Sequence, residues 1–385
     1  MTVVLRPGSL AQAQQQMRQA ARDGLRLLIR GAGTGTDWGG AVTADASFHT
    51  TGLDRLLHHR ATDLTVAVEA GMPLRTLQTR LADHGQRVAF DAARVDAGAT
   101  IGGLIATADA GPSVLGYGTL RDQVIGATLL LADGTLARTG GHVIKNVAGY
   151  DLAKLVHGSL GTLAVITEVV LRLQPLPAAT ATLRIECAAD DGYRLAEQLL
   201  QQALEPVALE WCDGLLLARF EGTVRGLAAR GRQARRLAGD AAQWSDDDTD
   251  PAWRRVAEYP LGAPGDTVLR IGTRPAQFTW LAGRLDALAA QHGLLPRLRS
   301  SLGSGIHDVL IRGGDPGQHA AFLTELRSQV HEQGGLSTIT RRGSGPAAEL
   351  AAWPVPPVAV PVMRAVKQAF DPDGRLGSGR FAPWW

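Results

Sequence analysis

Cysteine is nearly absent from this chain: two residues in 385, Cys187 and Cys212. An iron–sulfur cluster takes four protein ligands, usually all cysteine, so these thiols cannot build one alone. A scaffold stapled by disulfides is excluded by the same count and by the length. Lysine is almost as scarce, with only Lys145, Lys154 and Lys367 among 39 basic residues, a compositional bias that carries no mechanism. Charge of one sign is also missing. The 39 basic and 37 acidic residues leave +2, and so small an excess does not point to nucleic acid or an anionic membrane. No apolar run approaches eighteen residues, and the start MTVVLRPGSLAQAQQQ has no basic region followed by an apolar stretch. Neither a spanning helix nor a secretory leader is expected, and the cytoplasm is the expected location.

What the chain does have is an ordinary globular balance, 45% hydrophobic and 20% charged, with 46 glycines. That length and balance suggest two or three folded units. Residues 3–30 read as strand, helix and strand: Ser9 and Gln12 form a capping box, and Leu10, Ala13, Met17 and Ala20 share one helical face. After RGAGTGTDWGG, residues 30–40, no helical pattern follows. A second unit of pattern runs from the strand Leu64–Ala70 into a helix opened by Pro73 and closed by Gly85. Further strands fall near 125–135 and 162–173. At 174–179 QPLPAAT reads as a linker. Beyond it strands at 181–187, 207–220, 267–272, 308–312 and 336–341 alternate with helices at 193–203, 223–238, 275–291 and 317–332. That order predicts an antiparallel sheet covered by helices on one face and built from two related halves. SDDDTDP, residues 245–251, reads as a solvated acidic loop. The last forty residues read as an extended WPVPPVAVP, a short helix MRAVKQAF and a turn-rich terminus.

The glycine loop fails two phosphate-binding fingerprints. A Walker loop needs Gly-Lys-Ser/Thr at its end, where Gly35-Thr36-Asp37 stands. A dinucleotide fingerprint needs a third glycine at Thr36 and an immediate helix. Two readings remain: a glycine-rich hairpin with no ligand, and a long inter-strand loop whose amides form a nest around a pyrophosphate. A second small-residue crossing, DAGATIGGLIATADAGPSVLGYGTLRD at 96–122, suggests two walls of one long cleft, the shape of a dinucleotide site.

RGAGTGTDWGG, VEAGMPL, ATIGGLIATADAGP with YGTLRD, LADG, KNVAGYDLAKLVHGSLGTLAVITE and FDPDGRLGSGR occur in that order. Together they resemble the signature blocks of FAD-linked oxidases of the vanillyl-alcohol oxidase and p-cresol methylhydroxylase type. Within that group the chain is most similar to the FAD-binding subunit of glycolate oxidase. The resemblance covers residues 1–175 and the tail and matches 180–345 loosely. It implies an α+β protein: a two-part FAD-binding domain of the p-cresol methylhydroxylase (PCMH) type at 1–175, an α+β, ferredoxin-like antiparallel cap at 176–345, and a segment at 346–385 that returns to the first domain. Carried over, it implies a pyrophosphate loop of Gly31, Ala32, Gly33, Thr34, Gly35 and Thr36 with Gly39 and Gly40. Gly98, Thr100, Gly102, Gly103 and Thr107 would form the second wall, with Gly116, Thr119 and Asp122 near the flavin and Gly161 and Ile166 presenting backbone groups to it. Thr100 reads equally as a helix cap and Asp122 as a turn anchor.

Two departures from the family pattern shape the functional expectation. Covalent members of this family attach the flavin through His, Cys or Tyr; Thr34 stands where a His-linked member carries its histidine and both cysteines lie outside the flavin domain, so non-covalent FAD is expected, with attachment through a tyrosine as the alternative. Members that oxidise 2-hydroxy acids through a metal resemble one another in a glycine-rich segment bearing two histidines; GSGIHDVLIRGG holds His307 alone, which reads as a structural hydrogen-bonder. His58, His59, His142 and His157 offer no metal spacing either, and no metal is expected. Lys145 reads as a partner for a phosphate, for the flavin or for Asp151; Tyr150 and Lys154 stand nearby. The terminal Trp384-Trp385 offers aromatic surface for subunit contacts or core packing. The expected function is an FAD-binding subunit of a glycolate oxidase or dehydrogenase complex, with a second flavin subunit and an iron–sulfur subunit as partners and peripheral inner-membrane association through them. The alternatives are a self-sufficient FAD-linked oxidase of an alcohol or 2-hydroxy acid, and an assembly subunit with a vestigial site.

Overall fold

A computed structural model describes residues 3–141, 149–245, 250–343, 345–353 and 357–385. The chain divides into two units, one of residues 1–110, 118–176 and 356–385, the other of 111–117 and 177–355. The seven-residue excursion at 111–117 has no sequence signal of its own.

The first unit holds two main sheets. In the smaller, Ala46–His49 lies between Val3–Leu5 and Leu27–Arg30, parallel to both. The helix Leu10–Arg22, capped by the Ser9 hydroxyl at the Gln12 amide, turns Ala13, Met17 and Ala20 inward, where they pack with Leu27, Phe48 and Leu376. The larger sheet is antiparallel and runs Leu56–Arg60, Thr65–Glu69, Val165–Arg172, Val124–Leu130, Leu136–Gly140. Thr65–Glu69 is buried along its whole length, and the helices Leu74–Ala82 and Ile101–Thr107 pack Leu74, Leu77, Ile101 and Leu104 into the core it shares with Val169 and Leu171. The terminal segment folds back onto the smaller sheet: the Leu27 amide donates to the Arg375 carbonyl at 2.7 Å and the Gly377 amide to Leu27 at 2.9 Å.

The second unit is one eight-stranded antiparallel sheet, ordered Gln243–Ser245, Ala179–Glu186, Leu215–Gly222, Ala208–Cys212, Arg297–Ser301, Ile306–Ile311, Thr267–Gly272, Leu336–Arg341. Each half is a βαββαβ motif, and the two join through their second strands. Helices Ala189–Gln201, Val224–Ala238, Phe278–His292 and Pro316–Glu332 supply the main core with Leu195, Leu199, Leu227, Phe278, Leu285, Phe322 and Leu326. The helix Ala252–Leu261 sets Trp253, Val256 and Tyr259 against Ala208, Cys212, Leu217 and Leu310.

At the seam the sheet buries charge. Arg299, Glu210 and Asp308 are almost fully enclosed. The Arg299 guanidinium donates to Glu210 at 2.7 and 2.9 Å, to Asp308 at 2.8 Å and to the Ser301 hydroxyl at 2.8 Å, while Arg270 donates to Asp308 at 3.0 Å. Burial alone would raise the Asp308 carboxyl; the charges of Arg270 and Arg299 overrule it and hold it below its ordinary value. Removing one member of such a cluster strands the others. Arg299→Met is therefore predicted to cost about 3–5 kcal/mol in urea unfolding, and the stabilisation from Asp308 to be lost as pH falls below the ordinary carboxylate range. A loss under about 1 kcal/mol for Arg299→Met would contradict the reading of the seam.

Candidate active site

A cleft in the first unit runs between the loop that follows Leu27–Arg30 and the helix Ile101–Thr107. Its empty space, open solvent at the mouth included, is about 790 Å³. Its walls meet closely because glycines leave nothing between them. A Cβ on Gly31 would overlap the Thr100 hydroxyl, and one on Gly35 would sit 2.9 Å from Thr107 Cγ2. The loop therefore lies along the helix from its first turn to its last. Within the loop the Thr36 hydroxyl donates to the Gly33 carbonyl at 2.8 Å. Gly33 has φ +85°, and a side chain there would run into the Arg30 guanidinium. Across the cleft, Thr100 caps the helix by accepting from the Gly103 amide at 3.2 Å, and Thr107 donates back to the Gly103 carbonyl at 2.9 Å. Gly102 faces the other way, where a Cβ would stand 3.0 Å from Ala70. The segment 158–161 is tied to the same helix: the Gly158 amide donates to Ile105 at 3.0 Å and the Leu160 amide to Ala106 at 2.8 Å.

Of the residues singled out from the sequence, Gly31, Ala32, Gly33, Thr34, Gly35, Thr36, Thr100, Gly102, Gly103, Thr107, Gly161 and Ile166 line this cleft. Six others stand elsewhere. Gly39 and Gly40 lie against the backbone of 379–380. Gly98 has φ +82° in the turn before Thr100 and open space around it. Gly116 belongs to the second unit, where its amide donates to the Val207 carbonyl at 3.1 Å. Thr119 and Asp122 form a capping box on Leu120–Gln123, the Thr119 amide and hydroxyl both donating to Asp122 at 2.9 Å.

Two buried arginines of the cleft had no local signal. Arg94 donates through Nε to the Thr34 carbonyl at 3.1 Å, pairs with Asp109 at 3.4 Å and lies 5.0 Å from the Trp38 ring centroid. Arg380, 344 residues from Thr36, binds the loop from the terminal segment. The only hint of Arg380 was its place in the FDPDGRLGSGR block.

The remaining candidates have structural partners or fall outside the description. Lys145 and His142 lie outside the described residues, as do 246–249 of the acidic loop. Asp151 pairs with Lys154 at 3.1 Å and caps that residue's amide, and Tyr150 is exposed. Burial pushes His157 down to about 4. Trp384 is buried and stacks on Phe381.

His307 is enclosed in the second unit, with Nδ1 2.9 Å from the Ser300 hydroxyl, Nε2 2.8 Å from the Thr273 hydroxyl, and its ring stacked on Phe278. Both nitrogens are thus engaged by hydroxyls. Burial pushes its pKa down to about 4 from 6.5, so it stays neutral in the folded chain while the unfolded chain takes up a proton near 6.5. Stability is then present above that pH and falls on acidification toward pH 4, by about 3 kcal/mol in the limit. NMR titration of His307 should show a neutral ring down to pH 5; a midpoint near 6.5 would contradict this placement.

The cleft suits an extended diphosphate-bearing ligand. Its polar wall is backbone and threonine, its facing wall a helix of small residues, and a side chain at Gly31 or Gly35 would force the two apart. Comparison with known proteins agrees. Residues 1–140 match the family described as FAD binding domain. The chain is 28% identical to the glycolate oxidase subunit GlcE of Escherichia coli over 95% of each. It is 33% identical to a D-lactate dehydrogenase of Archaeoglobus fulgidus over 53% of this chain and 46% of that one. Among solved structures, an alkyldihydroxyacetonephosphate synthase superposes with a TM-score of 0.71 at 14% identity, covering 97% of this chain and 76% of its own, a likeness of fold alone. The chain carries an FAD-binding domain of the PCMH type and is an FAD-dependent oxidoreductase.

Proposed function

We propose that this chain is the FAD-binding subunit of a complex that oxidises a 2-hydroxy acid, glycolate to glyoxylate, and passes the electrons to partner subunits. The observation that carries the reading is the likeness to a glycolate oxidase subunit across 95% of both chains. Likeness to the D-lactate dehydrogenase covers only about half of this one. FAD, when bound, supplies the two-electron acceptor. Residues 31–36 and 100–107 hold the nucleotide, and the apolar side chains Ile29, Leu104, Leu160 and Ile166 exclude water from the same cleft. Non-covalent binding is favoured by Thr34 standing where a His-linked member carries its histidine and by Cys187 and Cys212 belonging to the second unit.

Two features support a division of labour. Oxidation of the hydroxy acid removes two electrons, and their onward transfer one at a time calls for one-electron centres such as an iron–sulfur subunit, which two cysteines cannot supply. The one histidine in the metal-like segment, His307, has both ring nitrogens bound to hydroxyls inside the second unit's core. The second flavin subunit and the iron–sulfur subunit are the proposed partners. Among the described residues no helix is long and apolar enough to cross a membrane, and peripheral association with the inner membrane through those partners is part of the proposal.

Free FAD at a hundred times its dissociation constant should stabilise the chain by about 2.7 kcal/mol, and acid precipitation should leave the yellow colour in the supernatant. No FAD-dependent shift in Tm would refute the cofactor site; colour in the pellet would refute non-covalent binding. Reconstitution tests the assignment: the chain alone should turn over glycolate negligibly and gain activity with the two partner subunits. Substantial turnover by the chain alone, abolished by His307→Ala, would favour a self-sufficient oxidase.

A further inference from the structure

The glycine loop is shaped by a part of the chain more than three hundred residues away. Arg380 directs one guanidinium nitrogen at three loop carbonyls: Thr36 at 2.9 Å, Trp38 at 2.8 Å and Gly40 at 3.2 Å. The backbones interlock beside it. The Gly40 amide donates to the Arg380 carbonyl at 2.7 Å and the Thr43 amide to Ser378 at 3.0 Å. This contact explains two glycines. A Cβ on Gly39, which has φ +74°, would stand 2.8 Å from the Arg380 carbonyl, and one on Gly40 would overlap Gly379.

The terminal segment that delivers Arg380 is itself anchored. Asp371 accepts from the amides of Arg375 at 3.0 Å and Leu376 at 2.7 Å, and from Lys367 at 2.5 Å; Lys367 also donates to the Thr162 carbonyl at 2.8 Å. Arg94 repeats the device nearer the start of the loop, at the Thr34 carbonyl.

We propose that Arg380, assisted by Arg94, is a positioning residue for the diphosphate of the bound nucleotide, acting on the loop from its carbonyl side; this rests on the first unit binding FAD. In a planar trans peptide the N–H points opposite the carbonyl. A cation gripping the carbonyls of Thr36 and Trp38 therefore turns the amides of Asp37 and Gly39 away from itself and fixes the loop before any ligand arrives. It also places positive charge behind a loop that must hold an anion. Burial pushes the Arg380 guanidinium down from its ordinary value, yet arginine remains protonated under these conditions. Preorganisation of this kind raises affinity by removing the cost of ordering the loop on binding.

The effect is specific to the diphosphate end, so ADP, FAD and riboflavin separate it from a general loss of structure. In the full chain, Arg380→Met should weaken ADP and FAD in parallel, by about tenfold or more, and leave riboflavin unchanged, while Arg380→Lys, which keeps the charge, recovers most of the loss. Should Arg380→Met fail to fold, Arg380→Gln is read the same way. Independently of any variant, the Trp38 and Gly40 amides of the wild-type apoprotein should exchange slowly with solvent before FAD is added. Equal affinities of wild type and the neutral variant for ADP, an equal drop for riboflavin, or fast apoprotein exchange that slows only with FAD would each overturn the proposal. A wild-type chain that fails to bind FAD at all would instead overturn the functional reading.

Discussion

The first unit depends on glycine backbone that approaches its neighbours with no Cβ of its own between. Gly31 against Thr100, Gly35 against Thr107 and Gly40 against Gly379 are three such approaches along one loop, and each fixes the position of another element. The first two bring the loop to the helix Ile101–Thr107 and so define the cleft's width. The third brings the terminal segment to the loop, which puts Arg380 where it can bind loop carbonyls. Widening any of these contacts by a methyl group would move a wall of the site, which is why glycine appears here in runs rather than singly. Pro7 and Gly52 show the same economy away from the cleft, where a Cβ at Gly52 would crowd the Pro7 carbonyl.

The second unit is built on a different principle. Its duplicated βαββαβ halves bury two broad apolar layers, and the join between them is electrostatic, with Arg299 held by Glu210 and Asp308. His307 stands on the strand Ile306–Ile311 beside that join, but its ring is turned to Ser300, Thr273 and Phe278. Successive residues of a strand point to opposite faces. Asp308 therefore serves the charged cluster while His307 serves the helical core, and neither is left to bind a substrate on its own.

Much of this was legible in the sequence, for physical reasons that can be named. Alternation over 267–272 and 336–341 marked strands that the structure places at those residues, and the small-residue runs at 31–36 and 100–107 are the cleft walls because only small residues permit the approach. What escaped notice was polar or distant. Arg297–Ser301 is a central strand whose arginine is buried by ion pairing, a long-range event with no local pattern. Ala252–Leu261 holds Pro260 near its end and follows an acidic run, both of which argue against a helix locally. Gly39 and Gly40 carry the same composition signal as Gly31 and Gly33, yet they serve the terminal segment rather than the cleft lining. Sequence alone shows that backbone comes close to something there, not to what. Thr119 and Asp122 illustrate the same ambiguity: they form a capping box on Leu120–Gln123, a role that sequence does not separate from a place beside the flavin.

The account turns on the furrow between residues 31–36 and 100–107 as the seat of the nucleotide's diphosphate. A crystal structure of the chain grown with FAD tests it most directly. The account predicts the diphosphate in that furrow, with the loop carbonyls still bound to Arg94 and Arg380. FAD bound elsewhere in the chain, or a loop rebuilt around it with those arginines released, would contradict it.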